Sequence, residues 1–433
     1  MTEPSPTGTT PCPQCGAGIP NAPGWEMWCE ACEWNLEGPA KPPEKKSRSQ
    51  LRAERHAEQL HKEMMAGSSG RSRQSAARWL TFTFALLVHL PAVAVLVAAA
   101  AIVRWAGLDP PLLVGAAILV GLAVVLRPRL GSLPKRSPVL TRPHAPTLFQ
   151  LVDRISGMLH ARPVEWIAFD VGYNVSTAII GIRRRRLVVF GLPLWTILTP
   201  AERIAILAHE VAHDTNGDLS HILVVGSALD ILSTLSRWLS PPRRFAKAGA
   251  NTIARSGEEL AVLLMRALSL LAYGCLRVLL HYTRRASPRA EYLADEEMAR
   301  VGSPQAAISG LDKLCLGRPF MFRIRAAAKR REPDIWQALV EESKSFPARG
   351  HERLRRIGRR SRQKADDTHP LTAFRIDALR RLPESPPLVV LTAQEIDAIE
   401  RELAGVRDQL AALITHGTND PLPATRLSGS AEP

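Results

Sequence analysis

The chain has 433 residues, 46% of them apolar and 22% charged, and a formal net charge of +15. That length gives room for two or three folded units with sizeable cores. The charge invites a nucleic-acid reading, but aromatics are only 5% and no nucleic-acid-binding signature accompanies it, so basic runs beside apolar segments are read as contacts with anionic lipid head groups.

Residues 1–11 and 36–50 read as tail and linker, and no cleavable signal is expected in the polar first seventy residues. Between them lie four of the six cysteines, Cys12, Cys15, Cys29 and Cys32. Two CxxC knuckles thirteen residues apart can close a tetrahedral four-cysteine zinc site, and so short a segment needs a metal to fold. Residues 1–38 resemble a zinc ribbon, with Trp25, Trp28 and Trp34 covering the metal. A redox dithiol is the alternative, but no thioredoxin-like βαβ pattern surrounds it. Such a zinc, held by four protein ligands, is structural. Residues 39–78 read as a basic linker with a short charged helix at 51–66.

From Trp79 to Val103 no residue is charged, long enough for a membrane-spanning helix, and Leu112–Leu126 with its preceding turn forms a second span. Together, residues 79–127 read as a transmembrane hairpin. Arg71, Arg73 and Arg78 precede it, and Arg127, Arg129, Lys135 and Arg136 follow it. The positive-inside rule therefore places both the cysteine module and everything after residue 127 in the cytoplasm.

Residues 145–160 are patterned as an amphipathic helix, followed by strand-like runs at Val164–Asp170, Ser176–Ile182 and Arg186–Gly191. A helix is expected over 200–217, opened by Thr199 as cap, Pro200 in the first turn and Glu202 closing a capping box. Two long apolar helices follow at 221–239 and 259–281. Asp230, Arg266, Arg277 and the basic loop between them speak against spanning, so these helices are expected to lie against the bilayer or on the folded domain. The segment Arg353–Arg362 is either a lipid contact or a solvated loop. A final helix, Glu395–Ile414, carries a heptad seam that either pairs two copies into a homo-oligomer or docks on the preceding domain. Residues 416–433 read as a disordered tail.

The chemistry is concentrated in His209-Glu210-Val211-Ala212-His213. Residues four apart share a helix face, so the two imidazoles can bind one Zn²⁺ while Glu210 reaches a water as general base. A catalytic zinc wants a third protein ligand and one open position. Glu291 and Asp295, again four apart, offer one carboxylate for the metal and another for a ligand imidazole.

Three blocks then resemble the HtpX-like and CAAX prenyl endopeptidase family of membrane gluzincin metallopeptidases: HEVAHDTNGD, SPRAEYLAD and THPLTAFRI. The resemblance covers about residues 145–382 and implies an α+β, zincin-like catalytic domain, mainly helical with a small β-sheet. It implies zinc ligands His209, His213 and Glu291, with Glu210 as general base. Asp295 and Asp218 would support the ligands. His369 and Arg375 would touch substrate or stabilise the oxyanion, and Asn174 would mark the strand edge that pairs with substrate. Two zincs are expected, one catalytic and one structural, and residues 383–433 are read as the heptad helix and disordered tail. The implied activity is zinc-dependent endopeptidase action on membrane or misfolded polypeptides at the cytoplasmic face. The alternative is a catalytically silent zinc scaffold that recruits partners through the ribbon and the terminal helix.

Overall fold

The structure is a computed structural model that describes residues 8–21, 26–37, 74–106, 109–127, 132–134, 136–181, 183–215, 218–240, 252–360 and 372–416, with single positions between 55 and 62. Trp25 and His369 lie outside the described residues, as do the linker and most of the 51–66 segment.

The N-terminal module is a hairpin of β1 (Thr9–Pro11) and β2 (Gly18–Pro20), paired with Thr10 opposite Ile19. Gly16 takes φ +74°, so the chain can double back just after Cys15. Then come α1 (Gln74–Ala106) and α2 (Pro110–Leu126). Strand β3 (Val139–Leu140) and helix α3 (Pro146–Met158) lead to β4 (Trp166–Asp170), β5 (Val175–Ile180) and β6 (Arg185–Gly191). Short α4 (Leu192–Ile197) precedes the motif helix α5 (Pro200–Thr215) and α6 (Asp218–Trp238). Helix α7 (Thr252–Gly302) runs for 51 residues. The chain then folds as α8 (Pro304–Leu314), α9 (Gly317–Lys329), α10 (Ile335–Ser345), α11 (Ala348–Arg360) and α12 (Thr372–Leu379). It ends in α13 (Ala393–Glu402) and α14 (Ala404–His416).

The four-stranded sheet has the order β3-β4-β6-β5, with β4 and β6 parallel and the other pairings antiparallel. Its central strands are apolar on both faces, as strands covered on both sides must be. Ile167, Phe169, Val188 and Phe190 enter the main core, where Trp195 meets the rings of Phe169 and Phe190 edge to face. Ala168, Leu187 and Val189 face a second cluster with Leu133, Val139 and Trp166. Strand β5 is left at the edge, next to α5.

Helix α1 contains Trp79–Trp105, 27 residues long enough and apolar enough to cross a membrane, whereas α2 contributes the shorter apolar run Pro110–Val124. The two apolar helices after the motif also meet the first apolar helix. Helices α6 and α7 pack along α1 and against each other, with Ala85, Val225, Ala228, Leu276 and Leu279 in one cluster. His89 Nε2 on α1 lies 3.1 Å from Ser227 Oγ, and Ser269 Oγ on α7 donates to Ser236 O at 2.8 Å. Leu260–Leu280 also meets the length and hydropathy for a span, and it exposes Leu263, Leu264, Leu268 and Leu271.

The terminal heptad helix is two helices meeting at Leu403, and its seam is taken up by the chain's own core. Ile399, Leu403, Val406, Leu410 and Ile414 are all buried there. Arg203 on α5 pairs with Glu400 at 2.7 Å, and Glu402 accepts the first-turn N–H groups of Thr147 and Leu148 on α3. Of the segment Arg353–Arg362, the described residues to 360 are helical rather than a solvated loop, and Arg353, Arg355 and Arg356 meet protein carboxylates.

Candidate metal centre

Helix α5 begins as the capping box requires. Thr199 N–H donates to Glu202 Oε2 at 2.7 Å, and Glu202 N–H donates to Thr199 Oγ1 at 3.4 Å. Glu202 also accepts from Ser309 Oγ at 2.5 Å and Lys313 Nζ at 2.7 Å, so the same side chain fixes the start of α5 to α8. Ile204, Ile206, Leu207 and Val211 hold the apolar face in the core. These constraints set the rotation of the helix, and hence where His209 and His213 point.

Helix α7 crosses the motif helix and delivers Glu291 and Asp295 to the same place. His209 Nε2 and His213 Nε2 lie 3.2 Å apart, His209 Nε2 is 3.4 Å from Glu291 Oε2, and His213 Nε2 is 3.5 Å from Glu291 Oε1. Donors at roughly 2.0–2.1 Å from a tetrahedral zinc would sit about 3.3–3.4 Å from one another. The three side chains fit such an ion, with a fourth position left for water or substrate.

The surroundings hold the ligands in place. His209 Nδ1 lies 3.0 Å from Asp295 Oδ1, which fixes the ring and leaves Nε2 facing the other donors. Arg375 on α12 donates to both Asp295 oxygens, at 2.6 and 2.7 Å, and its Nη2 bears on the His209 ring, 3.3 Å from each nitrogen. All of these groups are buried. Burial and the Arg375 charge press the His209 pKa down, yet the Asp295 and Glu291 carboxylates outweigh them and lift it to about 9. For Asp295, burial raises the pKa, but Arg375 and His209 reverse that and hold it below the usual carboxylate range.

Glu210 is buried beside these ligands. Asn174 precedes the edge strand β5, and its carbonyl accepts from Gly191 N–H at 2.8 Å. Tyr173 beside it donates to Lys313 O at 2.7 Å. Arg375, expected to touch substrate or stabilise the oxyanion, has its guanidinium engaged by Asp295 (side chain 6% exposed). Asp218 opens α6, but its side chain is outside the described residues. The Glu202–Ser309–Lys313 support went unrecognised from sequence, although Ser309 and Lys313 stand four apart on one helix face.

The four N-terminal cysteines converge as the second group. Their sulfurs all lie within 4.8 Å of one another, with Cys12 Sγ 3.6 Å from Cys32 Sγ and Cys15 Sγ 3.6 Å from Cys29 Sγ. A disulfide would need about 2.05 Å, whereas a tetrahedral zinc with bonds of roughly 2.3 Å sets sulfurs about 3.8 Å apart. Trp28 is buried in the module, and Trp34 packs with the cysteines.

With this geometry, residues 161–382, just over half the chain, match Peptidase family M48, and the chain belongs to that family. Within it, the chain is similar to a protease HtpX homolog of Syntrophobacter fumaroxidans (strain DSM 10017 / MPOB), 26% identical over 190 residues. That alignment covers 42% of this chain and 63% of the relative, less than two thirds of its length. No solved structure matches significantly.

Proposed function

We propose that the chain is a membrane-anchored zinc metalloendopeptidase that cleaves membrane or misfolded polypeptides at the cytoplasmic face. The observation that carries this reading is the spacing of 3.2–3.5 Å among His209 Nε2, His213 Nε2 and the Glu291 carboxylate. A zinc held there would act as a Lewis acid toward the scissile carbonyl and acidify the attacking water. The Glu210 carboxylate takes the proton of that water and delivers it to the leaving amide nitrogen. Asp295 holds His209 in the required orientation, and Arg375 does so indirectly by fixing Asp295, so we assign both a positioning role. The edge strand β5, entered through Asn174, would pair with an extended substrate segment. His369 is assigned as a donor toward the developing oxyanion and Asp218 as a support of the ligands, on family resemblance alone. The four-cysteine module holds a second, structural zinc. Helices α1, α2, α6 and α7 anchor the enzyme, with the N-terminal module and catalytic domain in the cytoplasm.

A silent scaffold has no use for a buried carboxylate next to its first metal ligand. Glu210→Gln separates the readings: zinc content is expected to stay at the wild-type level while cleavage of an unfolded substrate falls by about 10²–10⁴. Unchanged cleavage by that variant would overturn the assignment.

A further inference from the structure

Helix α11 is poorly suited to stand alone. Its sequence ARGHERLRRIGRR carries six arginines against one glutamate, with two glycines, so like charges recur at helical neighbour spacings on a weak helix former. Its stability has to come from anionic groups elsewhere. Arg355 points toward the catalytic domain and grips Asp312 on α8 through both oxygens, at 2.5 and 2.6 Å. Arg349, Arg353 and Arg356, spaced four and three apart, face the N-terminal cysteine module, more than 300 residues away in sequence.

That module meets the arginines with matching chemistry. Arg349 pairs with Glu30 at 3.3 Å, Arg353 with Glu26, and Arg356 with Glu33 at 3.8 Å. Arg349 also donates to the carbonyls of Pro20 and Trp28, and Arg356 to that of Glu30. Both guanidinium groups lie over the Trp28 ring, 5.4 and 5.2 Å from its centre. Glu352 accepts from Arg356 at 2.9 Å and from Arg355 at 3.3 Å, joining the module's side of the helix to the domain's side. The Trp28 and Glu30 carbonyls and the Trp28 ring are presented by the loop that carries Cys29 and Cys32, and the Pro20 carbonyl by the end of β2, so a closed four-cysteine site would hold this face in shape.

We propose that the N-terminal module is a metal-dependent clasp on α11, docked through its glutamates and Trp28, that keeps this arginine-rich helix folded against the catalytic domain. Helix α11 packs on α12, the helix that carries Arg375. Metal loss from the module is thereby transmitted toward the peptidase site without any change in the site's own ligands. A joint made mainly of partly exposed ion pairs and cation–π contacts is also loosened by salt.

The test is amide hydrogen exchange on the detergent-solubilised full chain, read on peptides covering residues 348–360. Arg353→Glu is expected to speed exchange in α11 roughly tenfold, because attraction to Glu26 becomes repulsion. The charge swap Glu26→Arg with Arg353→Glu is expected to restore slow exchange. Cys29→Ser is expected to speed it as Arg353→Glu does, and peptides from α3 serve as the control, staying protected throughout. Exchange in α11 that ignores Arg353→Glu, stays fast in the swap, or stays slow in Cys29→Ser overturns the clasp. None of these readouts depends on proteolysis, so failure here is distinct from failure of the peptidase assignment.

Discussion

Asp295 is the residue on which the metal centre turns, since it holds His209 on one side and Arg375 on the other. Removing it as Asp295→Ala is expected to weaken zinc binding at the His209 site by about 10–100-fold, measured by chelator competition. Arg375→Ala leaves a buried carboxylate without its cation and is expected to lower stability by about 3–5 kcal/mol in denaturant unfolding. Arg375→Lys is expected to recover little, because one ammonium cannot span both Asp295 oxygens. At this scale much of the site was legible in sequence. The spacing of four puts His209 with His213 and Glu291 with Asp295 on common faces by helix geometry alone. The orientation of Arg375 was not legible, because nothing local says whether a guanidinium turns to substrate or to a carboxylate 80 residues earlier.

Two helices set the ligand triangle, and their approach depends on one missing side chain. A Cβ on Gly302 would lie 2.7 Å from Ala205 Cβ and 2.8 Å from its Cα, where α7 ends against α5. The obstacle is backbone, which cannot swing away. Gly302→Ala is therefore expected to cost about 1–3 kcal/mol and to weaken zinc retention as the helices part. Leu403→Ala, a fully buried position remote from the metal ligands, provides the contrast: about 2–5 kcal/mol lost, with zinc affinity unchanged in the folded protein. Element types were readable from periodicity and caps, as the Thr199–Glu202 box shows. The length of α7 was not, because Pro288 lacks an N–H and reads as a break, yet the helix continues through it. The division of the last helix at Leu403 was equally hidden, since the heptad spacing continues across the junction.

For the molecule as a whole, elemental analysis is expected to find two zincs per chain, falling to one in His213→Ala and to one in Cys29→Ala. Equal loss of both metals in either variant would show that the two sites do not fold independently. The order of elements along the chain was legible, because composition changes sharply from cysteine-rich to apolar to mixed. Their mutual packing was not: the clasp on α11 and the arrangement of α6 and α7 beside α1 join segments far apart in sequence, for which no local pattern exists.

At 1.5 Å per residue α7 is about 76 Å long, and one unbroken rod carries both the apolar stretch Leu260–Leu280 and the metal-binding Glu291. With Leu260–Leu280 in the proposed anchor, trimming it is not expected to give a soluble fragment with an intact metal centre. Any cut that removes Leu260–Leu280 leaves about three turns before Glu291, and the third donor would sit near a frayed end instead of well inside a continuous helix.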